Sequence, residues 1–131
     1  MPMKVRSGHI IFDRYVKYKD LAPIFEDLYL QFLEQSGQMP EDPEITHMLI
    51  RENLMDLELN RKPEGFNRQG KMRLIFPIKK DRVEMYIYRF QHGAKNTDVA
   101  KVTEAMSELL TEKKLKHTLD WDIMEMHRGR K

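Results

Sequence analysis

The alternation of apolar and polar positions marks the middle of the chain, residues 71–90, as a pair of strands. Before a basic turn at 79–82 the apolar positions are Met72, Leu74 and Phe76, and after it they are Val83, Met85 and Ile87. A period of two is typical of strands with two unlike faces. The pattern therefore predicts a hairpin around which the rest of the chain is organised.

A repeat of three and four residues predicts one amphipathic helix on each side of this hairpin. The first apolar stripe comprises Leu21, Ile24, Phe25, Leu28, Tyr29, Phe32 and Leu33. The second comprises Val99, Val102, Met106, Leu109 and Leu110. We expect both stripes to be buried against the sheet.

The ends of these helices carry their own markers. Asp20 is the predicted N-cap of the first helix, Pro23 then falls in its first turn, and Gly37 is placed to end it in a left-handed conformation. Thr97 is the predicted cap of the second helix, with Asp98 near the positive end of the helix dipole.

Two further strands are predicted at 9–16 and 117–126, and a loop at 38–44, where two prolines flank acidic residues. Residues 45–59 are interpreted as one strand or two, although their Met, Leu and Glu content also suits a helix. The order is then β-α-β-β followed by β-α-β. This predicts an α+β fold of duplicated β-α-β-β units, with two helices on one face of an antiparallel sheet.

Composition sets the broad class of the protein. The 131 residues fit one domain, 1–131, with flexible tails expected at 1–8 and 127–131. The 23 basic and 21 acidic residues leave a net charge of only +2, which argues against a nucleic-acid binder. No segment approaches the ~20 apolar residues of a membrane span, and no apolar leader is visible. Because cysteine is absent as well, we expect a soluble cytoplasmic protein.

No local motif specifies a reaction. The five histidines are scattered, with no pair at metal-ligand spacing, so we expect neither a metal nor a cofactor. No phosphate-binding loop, dinucleotide fingerprint or nucleophile elbow occurs. The chain is therefore more consistent with a binding protein than with an enzyme. A hydrolase with Glu58 or Glu84 as general base is kept as a weaker alternative.

Aromatic side chains give the clearest indication of a binding surface. Tyr86 and Tyr88 share one face of their strand, opposite the aliphatic Met85 and Ile87. If the aliphatic face meets the helices, the tyrosines remain available for a ligand or a partner chain. A second small core or a dimer contact explains the same pattern, so these alternatives stay open.

Three stretches resemble the gyrase-inhibitor-like (GyrI-like) effector-binding domains. The strand HIIFDRYV runs into a helix ending FLEQSG, and a proline-containing acidic loop follows. The strand MRLIFPIKK is similar to a strand of that family, with Pro77 in the matching place. The segment HGAKNTDVAKVTEAMSELLTEKKLK is similar to its second helical segment. The resemblance covers about residues 5–126.

The resemblance implies a bacterial, non-enzymatic protein that binds a small amphipathic molecule in a groove between two halves. The glutamate usual in the family is replaced by Arg73, so we expect a neutral or anionic ligand or a protein partner. The predicted groove is lined by Tyr15, Arg73, Glu84, Tyr86, Tyr88 and Trp121. The alternative is a homodimeric or partner-binding protein, such as an accessory protein of a toxin operon, that uses the same aromatic face.

Overall fold

The computed structural model describes residues 5–63, 72–79, 81–89 and 97–122. The strands in these ranges are β1 (Ser7–Phe12), β2 (Met72–Ile75), β3 (Glu84–Arg89) and β4 (His117–Trp121). The helices are α1 (Tyr18–Gln35), α2 (Pro43–Glu58) and α3 (Thr97–Glu112). Within the described residues, no helix is long and apolar enough to cross a membrane.

The four strands form one antiparallel sheet in the order β2-β3-β1-β4. In the middle of the sheet, Ile10 of β1 lies opposite Met85 of β3 and Leu119 of β4. The connections from β1 to β2 and from β3 to β4 each pass over one intervening strand. With α2 as an addition, this is the split β-α-β topology of ferredoxin-like folds. The predicted α+β class with an antiparallel sheet is confirmed, and the duplication of β-α-β-β units stays a prediction.

One face of the sheet meets the helices, and successive residues of β1 alternate between the two faces. Gly8, Ile10 and Phe12 point to the helices, since Ile10 and Phe12 belong to the core and a Cβ on Gly8 would meet Thr103 of α3. Both predicted helical stripes contribute to this core. The fully buried helical residues include Leu21, Phe25, Leu28, Tyr29, Phe32, Val99, Val102, Met106 and Leu110.

The strand interpretation of residues 45–59 is wrong, because Pro43–Glu58 is the helix α2. Asp42 caps this helix by accepting a hydrogen bond from the Glu44 amide at 3.0 Å. Pro43 then occupies the first helical position, where its missing N–H costs nothing. The last two residues of the predicted loop 38–44 therefore belong to the helix. α2 packs against α1.

The two predicted markers at the start of α1 are wrong, and the one at its end is confirmed. The N-cap is Lys17, and Asp20 lies three residues inside, where its carboxylate accepts from the Lys17 amide at 2.8 Å. Pro23 consequently lies beyond the first turn. Gly37 has φ +69°, and the Gln38 amide returns to the Leu33 carbonyl in a Schellman motif. The predicted Thr97 cap lies outside the described side chains.

The predicted hairpin is confirmed by the antiparallel pairing of β2 with β3, but its connection is longer than predicted. The last pair is Ile75 with Tyr86, so residues 76–83 link the strands. The first strand begins at Ser7, inside the range predicted as a tail, and ends at Phe12. The last strand ends at Trp121, and residues 123–131 lie outside the described part of the chain.

Candidate functional site

A connected group of polar side chains occupies the face of the sheet that is turned away from the helices. We call this face the second face. The Tyr86 hydroxyl donates a hydrogen bond of 3.0 Å to Glu84 Oε1. The Tyr86 ring meets the His9 ring edge-on, with the centroids 4.1 Å apart. His9 Nε2 is joined to Ser7 Oγ by a hydrogen bond of 2.8 Å. All four side chains are buried, so this group is held in one arrangement.

Burial decides the protonation of this group. It lowers the pKa of His9 to about 4, overcoming the opposite effect of the nearby Asp120 and Asp122 carboxylates. It also raises the pKa of Tyr86 to about 12, with Glu84 adding to the shift. At neutral pH both rings are therefore uncharged. They form a fixed hydrogen-bonding surface, and neither pKa is close to that of a general acid or base working at pH 7.

The structure brings four of the six predicted site residues to this second face. Arg73 lies opposite Tyr88 in the pairing of β2 with β3, and both share the face of Tyr86 and Glu84. By contrast, Trp121 lies opposite Gly8 on the helix side of the sheet.

Tyr15 is the other predicted residue that lies apart from this face. Its side chain is 72% exposed in the turn after β1, where the Arg14 guanidinium sits 5.0 Å from its ring centroid. The six residues thus do not line a single groove.

The buried His9 predicts a pH-dependent stability. In the unfolded chain histidine titrates near 6.5, so between pH 6.5 and 4 the unfolded state binds more protons than the folded state. The stabilisation is present above pH 6.5 and is lost as the pH falls towards 4. We expect the free energy of unfolding to drop by ~2 kcal/mol between pH 7 and 5 from this group.

Denaturant unfolding at the two pH values checks this prediction. His9→Gln, which cannot take up a proton, should reduce the difference between the two pH values by about that amount. An identical pH dependence in His9→Gln and the parent chain would contradict the assignment.

A cavity of about 480 Å³ opens between the end of α3 and the start of β4, and we call it the α3–β4 cavity. Pockets for small ligands commonly measure ~300–1,000 Å³. It is lined by Ser107, Thr111, Lys114, Leu115, Lys116, His117, Thr118 and Leu119. Six of these eight residues are polar and none is acidic, in a chain that has 21 acidic residues. The cavity therefore carries a positive formal charge.

His117 is held in a defined orientation at this cavity. Its Nδ1 lies 2.8 Å from the Leu115 carbonyl oxygen, which only accepts, so the proton of the neutral ring is on Nδ1. Nε2 is then the acceptor, and the Ser107 hydroxyl donates to it at 2.6 Å. The Ser107 hydroxyl of α3, the His117 imidazole of β4 and the Leu115 carbonyl are thus joined by two successive hydrogen bonds.

The turn that creates this arrangement depends on Lys114. α3 ends in a Schellman motif, in which the Lys114 amide bonds to the Thr111 carbonyl and the Leu115 amide to the Leu110 carbonyl. Lys114 occupies the left-handed position with φ +64°, where glycine is usual. The chain reverses here and brings Leu115 and His117 back beside Ser107.

The Ser107–His117 pair could not be found from the sequence, because no local pattern marks it. Ser107 and His117 are ten residues apart in different elements, and neither side chain belongs to a known motif. Position 114 is also a lysine and not the glycine that would have marked the turn. Within the described ranges, no group of three or more His, Cys, Asp or Glu side chains that could hold a metal ion is found.

Comparison with known proteins leaves the site to be judged on its own chemistry. No protein-family model, curated protein or solved structure matches the chain. The similarity to GyrI-like domains accordingly stays a prediction.

Proposed function

We propose that this chain is a non-enzymatic binding protein that holds a small amphipathic anion in the α3–β4 cavity. The observation that carries the proposal is the lining itself, which includes Lys114 and Lys116 and, among the described residues, no carboxylate. Ammonium groups donate charge-assisted hydrogen bonds to carboxylate and phosphate oxygens. A cationic ligand would meet unfavourable charges in the same place.

The apolar part of the lining supports a ligand with a hydrocarbon portion. Leu115 and Leu119 are half-buried and line the cavity beside the polar groups. Binding sites for small molecules commonly join an apolar wall to a few well-placed polar groups. An anionic ligand is also among the expectations raised by Arg73, together with a neutral ligand or a protein partner, but the site proposed for it is the α3–β4 cavity and not the second face.

Three aromatic probes that share a ring and differ in charge test the proposal by calorimetry: phenyl phosphate, benzyl alcohol and benzylamine. We expect phenyl phosphate to bind most tightly and benzylamine not at all. Lys116→Ala and Lys114→Gly should each weaken phenyl phosphate about tenfold, since a hydrogen bond to a charged group contributes ~1.5–3 kcal/mol. Glycine suits the positive φ of residue 114, so Lys114→Gly removes the charge and leaves the turn intact.

Lys101→Ala is the matched control, because Lys101 is an exposed lysine on α3 that lies outside the cavity lining. It should leave the affinity unchanged. Equal affinity for phenyl phosphate and benzylamine would contradict the proposal, as would tight binding that Lys114→Gly and Lys116→Ala do not alter.

The pairing of Ser107 with His117 also favours a second candidate from another class, a hydrolase. A hydroxyl hydrogen-bonded to an oriented imidazole is the usual arrangement of a nucleophile and its base. Turnover of p-nitrophenyl acetate that disappears in Ser107→Ala would favour this candidate over simple binding. Binding of phenyl phosphate without turnover would favour the binding protein.

A further inference from the structure

α2 presents an unusual apolar stripe to solvent. Four large apolar side chains on this helix and at its C-cap are 49%, 58%, 58% and 62% exposed, namely Ile45, Met48, Met55 and Leu59. Together with Glu52 these positions recur at alternating steps of three and four residues, the spacing of the contact positions in a coiled coil. We call these five residues the α2 stripe. Solvent-exposed apolar residues arranged in this way mark an interaction surface.

The stripe is not the face by which α2 joins the fold. The buried residues Ile50, Asn53 and Leu57 lie on the opposite side of the helix. Ile50 and Leu57 belong to the hydrophobic core, and α2 packs against α1. At 100° per residue, the two faces are centred roughly 150° apart. α2 is therefore anchored by one stripe and presents a second one outward.

The surroundings of the stripe are strongly acidic. Residues 41–62 contain six carboxylates against three basic side chains, Arg51, Arg61 and Lys62, although the whole chain is close to electrical balance. Glu52 sits in the middle of the stripe and is exposed, while Glu44 and Glu58 lie along one side with Arg51 between them. Asp56, on the other side, is paired with Arg61 at 3.0 Å. A partner must therefore offer apolar residues together with positive charge.

We propose that the α2 stripe docks a basic amphipathic helix of a partner protein. Pairing of an apolar stripe with the apolar face of a helix is a common mode of peptide recognition. Basic residues flanking that face would meet Glu44, Glu52 and Glu58. A second copy of the chain fits less well, because two-fold antiparallel packing would bring Glu52 close to its own counterpart and set acidic flanks against acidic flanks.

Two synthetic helices of equal length test the proposal, both with leucine at the contact positions and with either lysine or glutamate at all the others. We expect the full-length protein to bind the lysine peptide in a fluorescence anisotropy titration and to ignore the glutamate peptide. Binding should weaken as salt is raised, since exposed charges are screened. Met48→Gln combined with Met55→Gln should lower the affinity at least tenfold.

Glutamine keeps the length and helix propensity of methionine, so the melting temperature of the double variant should stay unchanged. Met39→Gln is the control, because Met39 is similarly exposed but lies outside the stripe. Equal binding of both peptides, or no binding of the lysine peptide, would overturn the proposal. A mass that doubles with concentration in light scattering, and does so only when Met48 and Met55 are present, would assign the stripe to a second copy instead.

Discussion

Phe25→Ala is expected to lower the free energy of unfolding by ~3–5 kcal/mol, the largest loss among the substitutions considered. Phe25 is fully buried on α1, and its ring stacks on Tyr29 with the centroids 5.6 Å apart. Tyr29 in turn stacks on Phe32 at 6.4 Å. α1 lies between α2 and α3, so removing the ring leaves a cavity at the centre of the helical layer. Small domains have a total stability of only ~5–15 kcal/mol.

Unfolding in guanidinium chloride measures this loss directly. Glu26→Ala is the neighbouring control, because Glu26 is exposed on the same helix and its replacement should change stability by no more than ~0.5 kcal/mol. A loss below ~1 kcal/mol for Phe25→Ala would mean that α1 does not form the centre of the core.

Gly8→Ala is expected to destabilise the protein by ~1–3 kcal/mol, although it adds only one methyl group. Gly8 lies on the central strand β1 where α3 approaches the sheet. A Cβ at this position would overlap the Thr103 hydroxyl oxygen and lie 2.9 Å from both Thr103 Cβ and Cγ2. Thr103 cannot swing into solvent, because it is fully buried and its hydroxyl donates to the Val99 carbonyl at 2.8 Å.

A double-mutant cycle isolates this contact. Thr103→Ala removes the hydroxyl and the methyl that the new Cβ would meet, so Gly8→Ala should cost about 1 kcal/mol less in that background. The test therefore depends on the difference between two measured costs and not on the absolute loss. Strictly additive costs would show that α3 is not packed against β1 at Gly8.

The elements with a clean period could be predicted from the sequence. Met72 and Leu74 of β2, with Met85 and Ile87 of β3, point to the helices as the alternation of two indicates. The stripes of α1 and α3 are buried as their three- and four-residue repeats require, except that Ile24 and Leu109 are only partly buried. In these segments the apolar positions are also the buried ones, because packing in the core is the main constraint on which residue types occur there.

α2 could not be assigned because its outward face is apolar as well. Ile50 and Leu57 form the inner face, but Ile45, Met48, Met55 and Leu59 are exposed and fill the positions that a solvent-facing helix gives to polar residues. The residues that obscured the helical period are those of the proposed docking surface. The rule that solvent-facing helix positions are polar fails on the outer face of α2, and the proposed partner helix would account for this exception.

The predicted aromatic groove joined residues from opposite faces of the sheet. Trp121 alternates in step with Leu119, and both pair with the helix-facing residues Gly8 and Ile10 of β1. Tyr86 pairs with His9 on the second face. A strand places alternate residues on opposite sides, so Trp121 and Tyr86 cannot line one surface of this sheet. The pairing register of β3 and β4 with β1 puts Trp121 and Tyr86 on opposite faces. This register cannot be read from the sequence of a single strand.

The location of the ligand is tested most directly by mapping the chemical shifts of the labelled protein as phenyl phosphate is added. A ligand in the α3–β4 cavity should perturb the resonances of Ser107, Thr111, Lys116 and His117. Those of His9, Tyr86 and Tyr88 on the second face should remain where they were. Perturbations confined to the second face, with the cavity residues unchanged, would contradict the proposed site and return the ligand to the tyrosine-bearing face of the sheet.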